Sequence, residues 1–549
     1  MKIKLANPGR RPIYVWLIFL SATLVLYGAG MHIYFLSDDW HWLYLGQERA
    51  IDGSLFLSNY AGQTGDGSYN PFLFLIFKLF YVLFGLKFWA YHLISILVHA
   101  TNGLLVYLLA RKLFVVGQRN IAWFWPVIIG AMFIVWPNQV ETVTWLSAWA
   151  HLWPTFFFLL SLLSYLHFRS SSRRFYLFLS VLLFTIAIFT KETTLSLPFI
   201  ILVNEMFLGR LCQTTRPDYL RVRYFFYILL FFLLLRYGAT GMCLGYYMAP
   251  VLGLDPLAWI ARLAIYGSEL VSFGFLRILL SKIVYHYQLL VAILVLLFLA
   301  GSTYGLYVRK KFFLLAVAGS LLIALGPFLL LDLHRTTFAD ERYLYLPSVF
   351  FVIGLGYILS FWPRRYWPRT ILIVIGIICL GVVRYKLDIW QQAGRLSQQT
   401  LASYGELKLA PDQKLVAVGL PDNLAGAQLW RNNLSLALDF IYPVPVRHQI
   451  TMLPVYVQLN KDNQDKHLLN WRQDELGWFG ESADGSFVVT GLTSLTRNGF
   501  YWELWNYNYQ NYTANTIRLM PQTEKLKDSL GSGQIKIFTF DRGRFRILE

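Results

Sequence analysis

Two adjacent carboxylates, Asp38 and Asp39, stand directly after the first membrane-length apolar run, in Phe35-Leu36-Ser37-Asp38-Asp39-Trp40-His41-Trp42. A carboxylate at a membrane–water boundary can serve as a base, a metal ligand or a hydrogen-bond anchor, and lipid-facing sequence does not otherwise carry a charge pair. The competing explanation is structural: Ser37 would cap a helix whose first turn holds both acids, favoured by the helix dipole. Trp40, Trp42 and Tyr44 beside the pair suit an interface with lipid or sugar.

Further charges sit at the ends of other apolar runs. Glu141 lies in Trp136-Pro137-Asn138-Gln139-Val140-Glu141-Thr142-Val143-Thr144-Trp145, so close to hydrocarbon that it needs a partner, water or a role in a site. Lys191-Glu192 presents the same choice, with an ion pair as the structural version, and Arg236 is placed where a side chain could snorkel to the interface. The polar stretch from Asp332 to Pro347 contains Asp340, Glu341, Arg342 and Tyr345. A guanidinium stays charged and forks onto two oxygens, so Arg342 suits a phosphate; an ion pair with Glu341 or Asp340 is the alternative. His41, His92, His99 and His151 are not at a metal-ligand spacing and read as packing or interface residues. No P-loop, GxSxG, dinucleotide fingerprint, HExxH or CxxC pattern is present, which leaves nucleotide-driven chemistry without support.

The elements that must position these groups are membrane helices. Of 549 residues 56% are hydrophobic and only 14% charged, and the mean hydropathy is +0.48, too apolar for an ordinary soluble enzyme. The net charge of +18 would suit nucleic acid on a single soluble face, but many of the basic residues fall in short links between apolar runs and report topology instead. Cys212, Cys243 and Cys379 offer no disulfide framework. Taking about 20 apolar residues per crossing, spans are expected near 12–31, 88–110, 121–137, 146–168, 175–190, 193–208, 224–242, 284–308, 312–331, 343–362 and 370–386, about eleven in all. Basic clusters at Lys2 to Arg11, Arg111 to Arg119, Arg169 to Arg174, Arg210 to Arg223, Arg309 to Lys311 and Arg364 to Arg369 fall on alternate links. That alternation predicts a cytoplasmic N-terminus and puts Asp38, Asp39, Glu141, Lys191, Glu192 and Asp340 to Arg342 together on the outer side. Residues 71–86 and 256–282 are poor spans and read as interfacial helices with Lys78, Arg262, Glu269, Arg277 and Lys282 turned to water; the alternative is that both cross, which leaves the later orientation unchanged.

Residues 1–386 thus form a transmembrane domain with external loops at 32–87 and 243–283, and after about residue 387 the composition turns polar. Residues 387–549 make a soluble extracytoplasmic domain of about 160 residues, enough for its own core. Strands at 414–418, 487–489 and 535–538 with a helix near 424–439 predict a mixed α/β unit, and the aromatic run from Phe500 to Tyr509 reads as a strand, with a sheet core favoured over a sugar platform. Asn433-Leu434-Ser435 and Asn511-Tyr512-Thr513 match the glycosylation sequon and receive no role.

Taken in order, these segments resemble the GT-C superfamily of polytopic glycosyltransferases, especially bacterial relatives of protein O-mannosyltransferases and the membrane part of the TPR-containing O-mannosyltransferases. The resemblance rests on Ser37-Asp38-Asp39-Trp40, on Gly85 to Leu93, on Pro137 to Trp145, on Lys191-Glu192 with Pro198, and on Glu341-Arg342-Tyr343-Leu344-Tyr345-Leu346-Pro347-Ser348. Leu420 to Ala427 opens the C-terminal domain as in several bacterial relatives. Two departures bear on the acceptor: Ala148-Trp149-Ala150-His151 replaces a Gly-Arg-Ala-Asp stretch, and TPR repeats are absent.

The resemblance implies a GT-C-like fold and inverting transfer of a sugar from a polyprenyl-phosphate carrier to a hydroxyl on a glycan, lipid or protein, outside the cytoplasm of a bacterial inner membrane. By the same resemblance Asp38 is the general base, and Asp39 orients the acceptor or, with Glu141, holds a divalent cation. Arg342, then Lys191 or Arg236, would stabilise the leaving phosphate, while Glu141, Glu192, Glu341, Trp40 and Tyr345 would position donor or acceptor. Membrane lipids and the lipid-linked donor are the implied partners, with no nucleotide cofactor and no nucleic acid. A transporter or flippase for a lipid-linked sugar is the rival class, and would be favoured by paired broken helices or an internal repeat.

Overall fold

A computed structural model describes residues 12–59, 68–116, 122–211, 218–243, 255–331, 337–361, 366–407, 413–442, 450–459, 469–482, 487–489, 494–497, 499–505 and 513–548. Lys2 to Arg11, Arg119, Cys212, Arg216, Arg364, Arg365, residues 332–336, most of the Tyr509 end of the aromatic run and the Asn511 sequon lie outside them. The chain divides into two compact units. The first comprises residues 1–31, 45–334 and 340–387; the second comprises 32–44, 335–339 and 388–549.

Among the described residues each of the eleven apolar runs is helical, though fewer than the eleven expected are of membrane length. Seven helices are long and apolar enough to cross a membrane: Pro12–His32, Phe88–Val115, Leu146–Ser171, Tyr219–Thr240, Gln288–Val308, Glu341–Ser360 and Thr370–Glu406. Phe124–Val135 and Pro137–Thr144 together make an eighth, bent by 51°. Arg174–Thr190, Leu197–Leu211 and Phe312–Leu325 are the shorter ones.

The bend has a local cause. Pro137 has no N–H to donate and disfavours helical backbone in the residue before it, so Trp136 is extended with ψ 124°. The chain then turns into the short helix Val140–Thr144, which carries Glu141 at its second position. The first helix packs closely behind this break. An added Cβ on Gly130 would lie 2.7 Å from the Phe19 ring and 2.8 Å from the Gly103 carbonyl, so only glycine lets these backbones meet.

Residues 71–86 and 256–282 differ from the expectation that their charges face water. Pro71–Phe84 is a 14-residue helix whose half-buried Lys78 donates to the carbonyls of Gln47 and Arg49 at 3.3 and 2.9 Å. The second segment is two helices, Pro256–Ser272 and Phe275–His286, broken where Phe273 and Gly274 take positive φ of 58° and 97°. Arg262 donates to the Leu329 carbonyl at 2.7 Å, and Glu269 and Arg277 are wholly buried against each other at 3.3 Å. Opposite charges that neutralise one another need not reach water, so these helices bury their polar faces; the side chain of Lys282 lies outside the description. Ala261, Ile265, Tyr266 and Leu270 pack on Leu325, Phe328 and Leu344, each large side chain contributing roughly 1.5–3 kcal/mol of burial.

In the second unit Lys414–Ala417 lies between two parallel neighbours, Ile535–Asp541 and Ile450–Met452, with Arg544–Ile547 antiparallel at the edge. A second sheet is ordered Thr513–Ala514, Phe487–Val489, Val455–Leu459, Leu420–Leu424 and Ala427–Gln428. An antiparallel sheet contains Leu469–Asp474, Gly477–Ser482, Thr516–Pro521, Phe500–Trp505 and Ser494–Arg497. The helix expected at 424–439 is confined to Leu434–Ile441. Ala425 and Gly426, at φ 49° and 109°, turn the chain back into a strand instead, and the Cβ that Gly426 lacks would strike the backbone of Phe338 and Ala339. Trp502 is fully buried, in keeping with a core strand rather than an open sugar platform.

Candidate functional site

Within the first unit the charged residues singled out by sequence assemble on short, irregular segments. Asp340 adopts a left-handed φ of 74°, tolerable for an aspartate, and opens the tight turn Glu341–Leu344. That turn sends consecutive side chains different ways. Arg342 meets Glu141, while Glu341 pairs with the buried Lys386.

Glu141 is almost fully enclosed by this arrangement. Its Oε1 accepts from the Arg342 guanidinium at 2.5 Å and from the Asp340 N–H at 3.4 Å, and its Oε2 accepts the Arg342 backbone N–H at 2.9 Å. The other arm of Arg342 pairs with Asp340 at 3.0 Å and donates to the Tyr343 hydroxyl at 3.1 Å. The guanidinium lies 5.0 Å from the Trp145 ring centroid and 4.7 Å from that of Tyr343, a cation–π sandwich that leaves the side chain 16% exposed.

A second group forms where the helix Arg174–Thr190 ends. Lys191 is extended at φ −160° and its Nζ lies 3.6 Å from Glu192, which opens the 3-10 turn Glu192–Ser196. Arg236 is buried rather than snorkelling, 3.8 Å from Glu192, with its Nε donating to the Met242 carbonyl at 3.3 Å. Burial lowers the Lys191 ammonium from the ordinary lysine value; Glu192 opposes this, and the nearby positive charges of Arg236 and Arg342 add to it. The two groups are therefore electrostatic neighbours, with Lys191, Arg236 and Arg342 set among Glu141, Glu192 and Asp340.

His151, read from sequence as a packing residue, belongs with them. Its ring lies 5.6 Å from Tyr343 and 5.9 Å from Phe328, and the charges of Arg342 and Lys191 both act on it. No spacing rule could have found it, because its ring partners Phe328 and Tyr343 come from segments more than a hundred residues away. The quartet Glu269, Arg277, Glu341 and Lys386 was also hidden: of the two ion-pair partners the sequence offered Arg342, Asp340 is the one it meets, and Glu341 goes to Lys386. Tyr345 is fully buried, its hydroxyl 2.8 Å from His99 Nδ1 and 3.1 Å from the donating Asn102 amide.

The acidic pair lies in the second unit. Ser37, at φ 42°, gives the helix Asp39–Glu48 no side-chain cap among the described contacts; the first helical residue, Asp39, instead ties the preceding turn, its Oδ2 accepting the Leu36 N–H at 3.0 Å while its own N–H donates to the Leu36 carbonyl. Asp39 is only 2% exposed. Asp38 is half-buried, and its Oδ1 accepts from the side-chain amides of Asn432 at 3.3 Å and Asn433 at 3.0 Å. Burial pushes His41 down to about 4, so the imidazole is neutral at physiological pH and adds no cation beside Asp38. Trp40 is a core residue, fully buried against Tyr34, Phe35 and Phe440, and its ring offers no open face.

Among the described residues no group of three or more His, Cys, Asp or Glu side chains is arranged to hold a metal ion. Glu141 has both oxygens engaged by Arg342 and Asp39 gives Oδ2 to a backbone N–H, so these two carboxylates do not fit a divalent cation in this arrangement.

The fold and the site define a helical protein with multiple membrane-length segments, a buried cationic cluster, and an acidic pair held in a mixed α/β unit. No family model matches the chain. Protein O-mannosyl-transferase TMTC3 of Homo sapiens is 31% identical over 162 residues, which is 28% of this chain and 17% of that protein. Protein O-mannosyl-transferase Tmtc1 of Drosophila melanogaster is 32% identical over 151 residues, 28% of this chain and 16% of that protein. The chain thus spans about a sixth of the length of these relatives. A crystal structure of ArnT from Cupriavidus metallidurans bound to undecaprenyl phosphate aligns over 79% of this chain and 85% of that one, at a TM-score of 0.30 and 15% identity, too loosely to carry an argument.

Proposed function

We propose that this protein is an inverting glycosyltransferase that moves a sugar from a polyprenyl-phosphate carrier to a hydroxyl of a glycan, lipid or protein on the extracytoplasmic side of a cell membrane. The N-terminus would be cytoplasmic and the C-terminal unit external, as the alternation of basic links suggests. The observation that carries the reading is the gathering of Lys191, Arg236 and Arg342 with Glu141, Glu192 and Asp340, from segments far apart in sequence. The similarity to protein O-mannosyl-transferases over part of the chain supports it.

In this reading Asp38 takes the proton of the acceptor hydroxyl as its oxygen attacks the anomeric carbon, on the face opposite the carrier. The bond from that carbon to the phosphate oxygen breaks, and its electron pair leaves with the phosphate. Arg342, with Lys191 and Arg236, stabilises the growing charge, and Glu141 fixes the orientation of the guanidinium. Tyr343, Trp145 and His151 bound the same region, and Asp39 holds the turn that presents Asp38. A transporter would call for paired broken helices, whereas the one membrane-length helix bent beyond 40° among the described residues has no broken counterpart.

The test is turnover by purified protein supplied with a polyprenyl-phosphate hexose. Asp38→Asn should lower kcat by about 10²–10⁴-fold, the ordinary worth of a general base, with unchanged thermal unfolding. A wild-type rate in that variant would remove Asp38 from the chemistry.

A further inference from the structure

The loop that meets Asp38 breaks a local rule. Asn433 stands at the N-cap of the helix Leu434–Ile441, a position where an asparagine ordinarily accepts a hydrogen bond from the first turn. It makes no such bond, takes a left-handed φ of 66°, and turns its amide to Asp38 instead. Asn432, beside it, donates to the same oxygen. Two neighbouring amides converge on Oδ1, and a helix forgoes its cap to provide one of them; such lapses of local consistency mark functional positions.

The loop itself is firmly held. The Arg431 guanidinium pairs with the buried Asp422 through Nε and through Nη2 at 2.6 Å, and the Arg431 carbonyl accepts the Tyr456 hydroxyl at 3.0 Å. The Leu429 and Trp430 N–H groups donate to the carbonyls of Asp422 and Pro421, each at 2.9 Å. This gives a use to the stretch Leu420 to Ala427 and to the Asn433 sequon, neither of which had one in the sequence.

We propose that Asn432 and Asn433 are positioning residues for Asp38, holding its carboxylate in the charged, oriented form that accepts a proton from the acceptor. This rests on Asp38 being the acceptor base. Among the described residues, the charged or titratable groups on the elements around it include Asp39, His41, Tyr44 and Glu48 on its own segment, Arg431 on the loop, Asp439 on the helix that follows, and Asp388, Arg395, Tyr404 and Glu406 on the long helix against Ile33 to Phe35. Hydrogen bonds to a carboxylate favour its ionised form, so removing them raises the pH at which the base is lost to protonation.

The experiment is the pH dependence of kcat/KM for transfer from a polyprenyl-phosphate hexose by the full-length protein. In Asn432→Ala/Asn433→Ala the acid limb should move up by about one pH unit, and in Asn433→Asp, which sets a second carboxylate beside the first, by more. Asn433→Ser, which keeps a donor, should fall between wild type and Asn433→Asp, and that comparison stands if the double variant does not fold. An acid limb that stays in place while kcat falls would mean that the amides only tie the segment down, and would overturn the proposal. Wild-type activity in Asp38→Asn is a different outcome and would instead sink the assignment of the base.

Discussion

Arg342 is held from three directions, by the carboxylates of Glu141 and Asp340 and by the faces of Trp145 and Tyr343, so its fork is oriented before any anion arrives. Lys191 is different, because an ammonium can lose its proton. Its pKa is lowered chiefly by burial, so the cation persists only below a pH that is less than the ordinary lysine value. If Lys191 carries part of the carrier phosphate, the KM for donor rises as pH climbs through that depressed value. In Lys191→Arg the charge persists, and the rise should be displaced to higher pH. Donor KM measured from neutral to alkaline pH checks this, and identical profiles for the two proteins would exclude a phosphate role for Lys191. The sequence picked out Arg342, Glu141, Lys191 and Glu192 because each interrupts or borders an apolar run, where a charge is costly. It was silent on His151, whose position inside such a run looks like packing.

At the scale of elements, the bend at Trp136-Pro137 and the turn at Asp340 set the geometry around Arg342, and their causes are written in the sequence: a proline that cannot donate, and an aspartate that tolerates positive φ. The close approach of the helices Pro12–His32, Phe88–Val115 and Phe124–Val135 behind the bend depends on glycine. Gly130→Ala would force its Cβ onto the Phe19 ring and the Gly103 carbonyl, and the second of these is backbone that cannot swing aside. We expect a loss of about 1–3 kcal/mol, read as an earlier thermal transition in detergent; an unchanged transition would mean that the helices can separate at no cost. Apolar run length marked eleven segments that are helical among the described residues, but only seven of them, or eight with the bent pair, are long and apolar enough to cross a membrane. It did not show that Glu269 and Arg277 face inward, because a buried ion pair and a solvated one look alike in a single segment.

At the scale of the whole molecule, the chain divides into two compact units, and the first holds buried ion pairs between its segments. Lys386, from the helix Thr370–Glu406, neutralises Glu341, and Arg277 neutralises Glu269. Lys386→Met would strand the Glu341 carboxylate in the interior and should destabilise the protein by about 3–5 kcal/mol. Adding Glu341→Gln should restore most of that loss, since the remaining amide carries no charge. Thermal unfolding of the two variants tests this, and equal destabilisation would show that the pair is not what matters.

The sequence by itself determined the helical, membrane-length character of the first 386 residues, the change to a mixed α/β region, and the short set of charges worth suspecting. Hydropathy, basic links, proline and glycine act over a few neighbouring residues, and so they can be read along the chain. Which charges became partners was decided only by the tertiary structure. Arg342 went to Glu141 rather than to the adjacent Glu341, Glu341 went to Lys386, and Asp38 received two asparagines almost four hundred residues away. Those choices depend on which faces of distant segments meet, and burial makes the energy of each pairing turn on geometry that no single segment contains.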